Sequence, residues 1–304
     1  MTVLLCGGIR ENKVDKKRPI RYVDKAILIG NGLNQAFNNF LSWKDLMKEI
    51  VKTNTDGVPN TLIPLLDDDT IKLVLEKLSS LSYPSEEFSE LIINLVNSGF
   101  NNFLTTNYTY EIEYALLPKK ARTPNYIYKN TFSMVKQELE KSVSVINYIQ
   151  IKYHEKIINI WHLHGEIRKK SSIVLGHDKY GDLMRRITVG NKKIIKLNKK
   201  CCELTNCEYK TWTDFFYFTN LYIVGYGLDY SEIDIWWILE KRRKYNFERK
   251  NNIYFYPLSK DDLSSTKRQL FKREDITIID INNDEKIDYK KCYKDIIADI
   301  CSKA

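Results

Sequence analysis

Residues 26–34 read AILIGNGLN, and this stretch decides the fold. The apolar run 26–29 predicts a buried strand, and Gly30 and Gly32 allow the backbone to turn sharply into a helix. Such a turn presents N–H groups and the positive end of a helix dipole to a pyrophosphate. The third glycine of the dinucleotide-binding pattern is absent, because Gln35 stands in its place. Taken alone, the motif fits a dinucleotide site and a plain strand–helix turn equally well.

Outward from this segment, short apolar strands alternate with amphipathic helices, which is the pattern of an α/β protein with an open parallel sheet. Further strands are predicted at residues 103–106, 157–163, 221–224, 253–256 and 277–281. Helices are predicted at about 91–96, 132–153 and 231–247, and another is expected to begin after the N-cap residue Ser42. Two intervals have the character of insertions, at about 115–155 and 182–215.

The candidate site lies where the strands end, because ligands of an open parallel sheet bind beyond the carboxyl ends of its strands. The segments that follow the second, third and fourth strands are Thr105-Thr106-Asn107-Tyr108, His162-Leu163-His164-Gly165 and Gly225-Tyr226-Gly227-Leu228-Asp229. If the third strand stays regular to its end, His162 and His164 point to the same side. One histidine at a strand end is more often structural, but four strand ends of this composition together favour a binding site.

Four motifs in this order resemble the SIR2-like domain of bacterial antiphage defence proteins, over about residues 24–258: GNGLN, TTNYTYEIE, HLHGE with SIVLGHDKYG, and YIVGYGLDYSEIDIWWIL. The resemblance implies a sirtuin-like fold, which is a Rossmann-like parallel sheet with helices on both faces and a smaller helical insertion module. It divides the chain into a basic N-terminal extension, 1–23, and an NAD-binding catalytic domain, 24–304. Abortive-infection proteins of the AbiH type share the GNG opening and the HG motif.

The resemblance also implies which residues carry the function. Asn107 and His164 match the catalytic pair of the family, and NAD is the implied substrate. The implied dinucleotide-binding residues are Gly30, Asn31, Gly32, Leu33, Thr105, Thr106, Tyr108, Gly165, Gly225, Tyr226, Gly227, Leu228 and Asp229. One position departs from the family pattern, since Thr109 stands where an Asp is usual, with Glu111 two residues further on.

The implied reaction is cleavage of the bond between nicotinamide and ribose, through a transition state that resembles an oxocarbenium ion. Asn107 is expected to hold the ribose and a water by hydrogen bonds. His164 is expected to be the general base, because the ordinary pKa of histidine lies near neutrality. Hydrolysis that depletes NAD during abortive infection is the main prediction, and a cyclised product stays open. The alternatives are a protein deacylase, a catalytically weak AbiH-like protein and a nucleic-acid-binding module.

The cysteines bear on the deacylase alternative and on metal binding. Deacylating sirtuins carry four zinc-binding cysteines in two pairs, whereas this chain has Cys201, Cys202 and Cys207 in that interval. With His177 as the nearest fourth ligand, this spacing suits tetrahedral zinc poorly, so no metal is expected. The other cysteines follow no disulfide framework either, and reduced thiols in the cytoplasm are expected.

Composition and charge exclude several classes of protein. An apolar content of 43% excludes a disordered chain, and no apolar run approaches the roughly 18 residues of a membrane span. The first residues do not have the order of a secretory signal. The net charge of +9 is concentrated in 1–22, 185–200 and 241–250, which are solvated surfaces or contacts for nucleic acid or another partner. Control of an NADase is expected from homo-oligomerisation or from a separately encoded sensor, ATPase or Argonaute.

Overall fold

The computed structural model describes residues 25–51, 55, 57–59, 61–66, 69–79, 83–133, 144–201, 211–245, 251–258, 263–281 and 288–303. The expected N-terminal extension, 1–23, lies outside the described residues. So do 134–143 in the first expected insertion and 202–210 in the second.

The described strands form a single sheet. They are β1 Lys25–Ile29, β2 Asn102–Thr105, β3 Thr131–Ser133, β4 Asn147–Tyr153, β5 Lys156–His162, β6 Asn220–Val224, β7 Ile253–Tyr256 and β8 Ile276–Ile278. Their order is β3-β4-β5-β2-β1-β6-β7-β8, with β3, β4 and β5 paired antiparallel and all other pairs parallel. The stretch from β5 to β8 has the 3-2-1-4-5-6 order of a Rossmann sheet. The predicted Rossmann-like α/β fold is confirmed.

Helices cover both faces of this sheet. They are α1 Asn31–Asn38, α2 Trp43–Ile50, α3 Thr70–Ser79, α4 Glu86–Asn97, α5 Glu111–Leu116, α6 Pro124–Lys129, α7 His177–Cys201, α8 Thr213–Phe218, α9 Ile233–Tyr245, α10 Ser265–Arg273 and α11 Tyr289–Lys303. Ser42 caps α2 as predicted, because its hydroxyl accepts the N–H of Asp45 at 3.1 Å. In the described part of the chain, no helix combines the length and the apolar character needed to cross a membrane.

The alternation of side chains along β1 explains why the sheet has a hydrophobic core on each face. Ala26 and Leu28 are fully buried in a core with α7 to α10, whereas Ile27 and Ile29 are fully buried in a second core with α1, α4, α5 and α11. A strand that is buried on both faces must be apolar at every position, and residues 26–29 meet that requirement. Burying the side chain of Ile27, Leu28 or Ile29 stabilises the fold by about 1.5–3 kcal/mol each.

A small helical module has a core of its own. In α2 and α3, Leu46, Met47 and Val74 pack against Ile173 and Leu175 from the loop after β5. The helices of this module come between β1 and β2 in the chain. Because the module has its own core, it forms a layer beside the strand ends that is separate from the main sheet.

Two local predictions are wrong. The helix expected at 132–153 is absent from the described parts of that range, because Phe132 and Ser133 belong to β3 and Asn147–Tyr153 is strand β4, which pairs with β5. The segment NYIQIKY is rich in β-branched and aromatic residues, which favour a strand, and β4 lies between β3 and β5 in the sheet. The last strand is also shorter than predicted, since β8 ends at Ile278 rather than at residue 281.

Candidate active site

Two glycine turns meet where β1 and β6 end, at the switch point of the sheet. The Gly30 N–H donates to the Val224 carbonyl at 3.0 Å, and the Gly32 N–H donates to the Gly225 carbonyl at 2.7 Å. A Cβ on Gly30 would lie 2.4 Å from the Gly225 oxygen, and Gly225 has a φ of +64°. Glycine is therefore required here for backbone packing. The Gly32 N–H is already engaged and does not point to a phosphate.

A cleft of about 820 Å³ opens above these turns, between the strand ends and the helical module. Its volume is within the usual range for a site that binds a small molecule. Most of the predicted site residues line it: Asn31, Gly32, Thr106, Asn107, Tyr108, His164, Gly225, Tyr226, Gly227, Leu228 and Asp229. The sequence motifs from four strand ends are thus brought to one cavity.

Four predicted residues do not line the cleft, namely Gly30, Leu33, Thr105 and Gly165. Leu33 is buried against the Gly225 turn. Gly165 has a φ of +89°, and a Cβ there would lie 2.2 Å from the carbonyl oxygen of Ser172. These residues lie behind the cleft and shape its loops, and their contact with a ligand stays a prediction.

Asn107 is held from two sides. Its N–H donates to the hydroxyl of Thr105 at 3.1 Å, and that hydroxyl donates to the Ile29 carbonyl at 2.9 Å. Its carbonyl accepts the Nδ1–H of His162 at 2.7 Å, while Nε2 of the same ring lies 2.8 Å from Oε1 of Glu113. Both ring nitrogens of His162 therefore face oxygen acceptors, which favours the doubly protonated ring.

His162 is thus a buried cation behind the site. Burial alone lowers the pKa of His162, but Glu113 and further acceptors outweigh burial and raise this pKa to about 9. The two histidines do not share a side. Strand β5 ends at His162, so the alternation does not extend to His164, which has different partners.

His164 lies on the cleft between two carboxylates. Its Nε2 is 2.9 Å from Oδ2 of Asp234 and 3.7 Å from Oε2 of Glu232. Burial lowers the pKa of His164, but the two carboxylates outweigh this effect and raise the pKa to about 9. The expected role as general base assumed an ordinary histidine pKa. A pKa of about 9 instead favours the protonated ring at neutral pH, so the general-base role of His164 stays a prediction.

Sequence reasoning missed both of these carboxylates. Glu232 precedes α9 and lines the cleft, whereas Asp234 lies in the first turn of the helix and is fully buried. Oxygen and nitrogen atoms of His164, Glu232 and Asp234 lie within 4.8 Å of one another, a spacing that also suits a cation. The hydrogen bond between His164 and Asp234 accounts for the arrangement without one. The sequence did contain a signal for these two carboxylates, because two acidic residues follow shortly after the last glycine turn.

Glu111 does not supply to the cleft the carboxylate that the family usually has at the position of Thr109. Thr109 lines the cleft, but Glu111 does not. Glu111 is buried and accepts the side-chain N–H of Asn34 at 3.2 Å, and burial raises the pKa of Glu111 to about 7. Glu111 therefore supports α1 from behind the cleft.

The cleft also contains two cationic side chains. Lys77 forms an ion pair with Glu49 at 2.8 Å. Lys267, in the first turn of α10, is partly buried and its Nζ donates to the Gly227 carbonyl. Burial lowers the pKa of Lys267, and no described carboxylate forms a salt bridge with it. Lys267 lines the cleft beside Gly227, and the nearby Asp229 carboxylate partly offsets the effect of burial on its pKa.

The cysteines and the basic clusters lie elsewhere. Cys201 ends α7, while Cys202 and Cys207 lie outside the described residues. In the basic stretch on α7, Arg185 and Arg186 both form ion pairs with Asp182. None of the described residues of the basic clusters lines the cleft. Binding of nucleic acid to these clusters stays a prediction.

A family model for the SIR2-like domain matches residues 101–279, which is more than half of the chain. The match runs from β2 to β8 and includes Asn107, His164, Glu232 and the Gly225 turn. It does not include the Gly30 turn. No curated protein matches the chain.

Proposed function

Because this chain belongs to the SIR2-like family, whose domains bind NAD, we propose that it is an NAD⁺ hydrolase that cleaves the nicotinamide–ribose bond. The observation that carries the proposal is that Asn107, His164 and Glu232 line one cleft, with the buried Asp234 bound to the ring of His164. An amide and a carboxylate-bound imidazole in one cleft suit a reaction that develops positive charge on a ribose.

The bond that breaks joins ribose C1′ to a cationic pyridinium nitrogen, so the leaving group departs as neutral nicotinamide. Positive charge develops on the ribose as the bond lengthens. Asn107 holds the ribose hydroxyls and the attacking water by hydrogen bonds and adds no charge. Thr105 and His162 fix the backbone of Asn107, so the residue that carries this amide is positioned before substrate binds.

His164 acts as a charged hydrogen-bond donor in this proposal. Asp234 engages Nε2, so Nδ1 is the nitrogen that serves a ribose hydroxyl or phosphate oxygen in the cleft. Asp234 and Glu232 offset the positive charge of the ring, which otherwise repels the pyridinium of NAD⁺. Lys267, which also lines the cleft, binds the anionic part of the dinucleotide.

Two wider roles belong to the same proposal. We propose that the enzyme depletes NAD⁺ in abortive infection, because its motifs resemble those of antiphage defence domains. A cell that makes such an enzyme must restrain it, so we infer control by a homo-oligomer or by a separately encoded sensor, ATPase or Argonaute. We also propose that the chain divides into a basic N-terminal extension, 1–23, and an NAD-binding catalytic domain, 24–304.

The test is incubation of the purified full chain with NAD⁺ across a range of protein concentrations, with products separated by chromatography. We expect nicotinamide and ADP-ribose in equal amounts, without an acylated peptide. Asn107→Ala is expected to lower the rate at least about 100-fold. Nicotinamide release that requires an acylated peptide indicates a deacylase and contradicts the proposal, as does an Asn107→Ala rate equal to that of the wild type.

A further inference from the structure

Three acidic side chains line the cleft, and two of them are committed elsewhere. Glu49 forms an ion pair with Lys77 at 2.8 Å. Asp229 accepts the N–H and the hydroxyl of Ser231, which fixes the turn before α9. Glu232 is the remaining acid, and it lies beside the imidazole of the candidate catalytic histidine.

The two acids beside His164 have different surroundings. Asp234 is fully buried and hydrogen-bonded to the ring, so it orients the imidazole and does not reach a ligand. Glu232 keeps 18% of its side chain exposed, and it lines the cleft. Its Oε2 is 3.7 Å from Nε2 of His164 and accepts the Tyr180 hydroxyl at 3.3 Å. Its carboxylate is thus held in place yet accessible to substrate.

We propose that Glu232 is a further catalytic residue, the proton acceptor for the water that attacks the ribose, and this inference rests on the proposed NAD⁺ hydrolysis. The C1′–N bond breaks and its electron pair stays on the nicotinamide nitrogen. The water oxygen forms the new bond to C1′, and its proton moves to the Glu232 carboxylate. ADP-ribose and nicotinamide leave, and Glu232 returns the proton to solvent.

The surroundings of Glu232 fit this role. Burial raises the pKa of Glu232 and Asp234 raises it further, whereas His164 opposes both effects. A carboxylate with a raised pKa is a stronger base than an exposed one. His164 is already protonated at neutral pH, so it does not compete for the proton. The titratable and charged groups that face Glu232 from the packed elements are His164, Asp234, Tyr108, Tyr180 and Tyr226.

Glu232→Gln tests the proposal, because the amide keeps the size and hydrogen bonding of the side chain but cannot act as the base. We expect kcat for nicotinamide release to fall about 10²–10⁴-fold, with KM changed less than about threefold. The acidic limb of the wild-type kcat/KM profile is expected to disappear in this variant. Glu240→Gln is the matched control on α9, since Glu240 forms a surface pair with Lys244 at 2.8 Å and does not line the cleft.

The outcomes separate this inference from the proposed function. Wild-type rates and an unchanged acidic limb in Glu232→Gln overturn the role of Glu232 and leave NAD⁺ hydrolysis intact. A wild-type protein that releases no nicotinamide overturns both. If Glu232→Gln fails to fold, Glu232→Asp provides the test, because it keeps a carboxylate. We expect it to retain a measurable rate and an acidic limb, and complete loss of activity in a folded Glu232→Asp overturns the proposal.

Discussion

The Nδ1–H of His162 donates to the carbonyl oxygen of Asn107 at 2.7 Å, from a side chain that is 6% exposed. The other nitrogen of the ring is 2.8 Å from Oε1 of Glu113, which is fully buried. One buried ion pair therefore fixes the backbone of the candidate catalytic amide. The structural role of His162 and the proposed chemical role of Asn107 are coupled through a single hydrogen bond.

Replacement of His162 tests this coupling. His162→Ala leaves the buried carboxylate of Glu113 unpaired, and breaking a buried pair from one side costs about 3–5 kcal/mol of unfolding free energy. Urea unfolding measures this loss. His177→Ala, at an exposed histidine that begins α7, is the control and is expected to change stability by less than about 0.5 kcal/mol. Equal stabilities of the two variants contradict the buried pair.

A double variant separates pairing from packing. His162→Gln with Glu113→Gln removes both charges while keeping side chains of comparable length. The double variant is expected to be more stable than His162→Ala, because no buried charge is left without a partner. Its kcat for NAD⁺ cleavage should nevertheless stay below that of the wild type, since the charged donor to the Asn107 carbonyl is lost. A double variant no more stable than His162→Ala argues against the ion pair.

Stability is expected to fall as the pH rises. The pKa values of His162 and His164 are raised from 6.5 to about 9, so the folded protein binds these protons more tightly than the unfolded chain. Their contribution is complete below about pH 6.5 and is lost as the pH rises through 9. The pKa of Glu111, raised from 4.5 to about 7, has the same sign over a lower range.

Thermal unfolding between pH 6 and 9.5 measures this effect, and we expect the Tm to decrease steadily. His162→Gln should show a shallower decrease, because one of the two groups is absent. A Tm that rises between pH 6.5 and 9 contradicts the assignment of both imidazoles as cations.

Strand positions could be predicted from the sequence more readily than the partners of the histidines. An apolar run such as 26–29 followed by glycine defines both a strand and its end, so the residues that meet at the sheet edge followed from local patterns. Pairs such as His162 with Glu113 or His164 with Asp234 join residues 49 and 70 positions apart. Nothing local indicates which acid reaches which histidine, and the raised pKa values depend on these pairs.

The predicted helix at 132–153 illustrates a second limit on what the sequence alone can predict. Residues 147–153, at the end of the predicted helix 132–153, fit a helix and a strand, and pairing with β5 decides the outcome in favour of β4. Such pairing is a tertiary effect that a single sequence does not encode locally. The module that does flank the cleft is built instead from α2 and α3.

The contact between the two glycine turns makes a stability prediction. A Cβ on Gly30 lies 2.4 Å from the Gly225 oxygen, so Gly30→Ala must displace backbone at the switch point. We expect a loss of about 2–4 kcal/mol in the free energy of unfolding. Gly181→Ala in α7 is the matched control, because nothing lies within 4 Å of its added Cβ and alanine favours a helix by about 0.5–1 kcal/mol. Destabilisation of equal size in both variants contradicts close packing at Gly30.

Lys267 makes the last prediction, on substrate binding. It is partly buried on the cleft and donates to the Gly227 carbonyl, and no described carboxylate forms a salt bridge with it. An anionic ligand therefore gains a charge-assisted hydrogen bond, which contributes about 1.5–3 kcal/mol. Lys267→Ala is expected to raise KM for NAD⁺ roughly 10–100-fold with kcat nearly unchanged. Lys272→Ala, five residues on in α10 and away from the cleft, removes the same charge and should leave KM unchanged. Equal KM values for the two variants exclude Lys267 from the binding site, whereas a fall in kcat alone places it with the reacting groups.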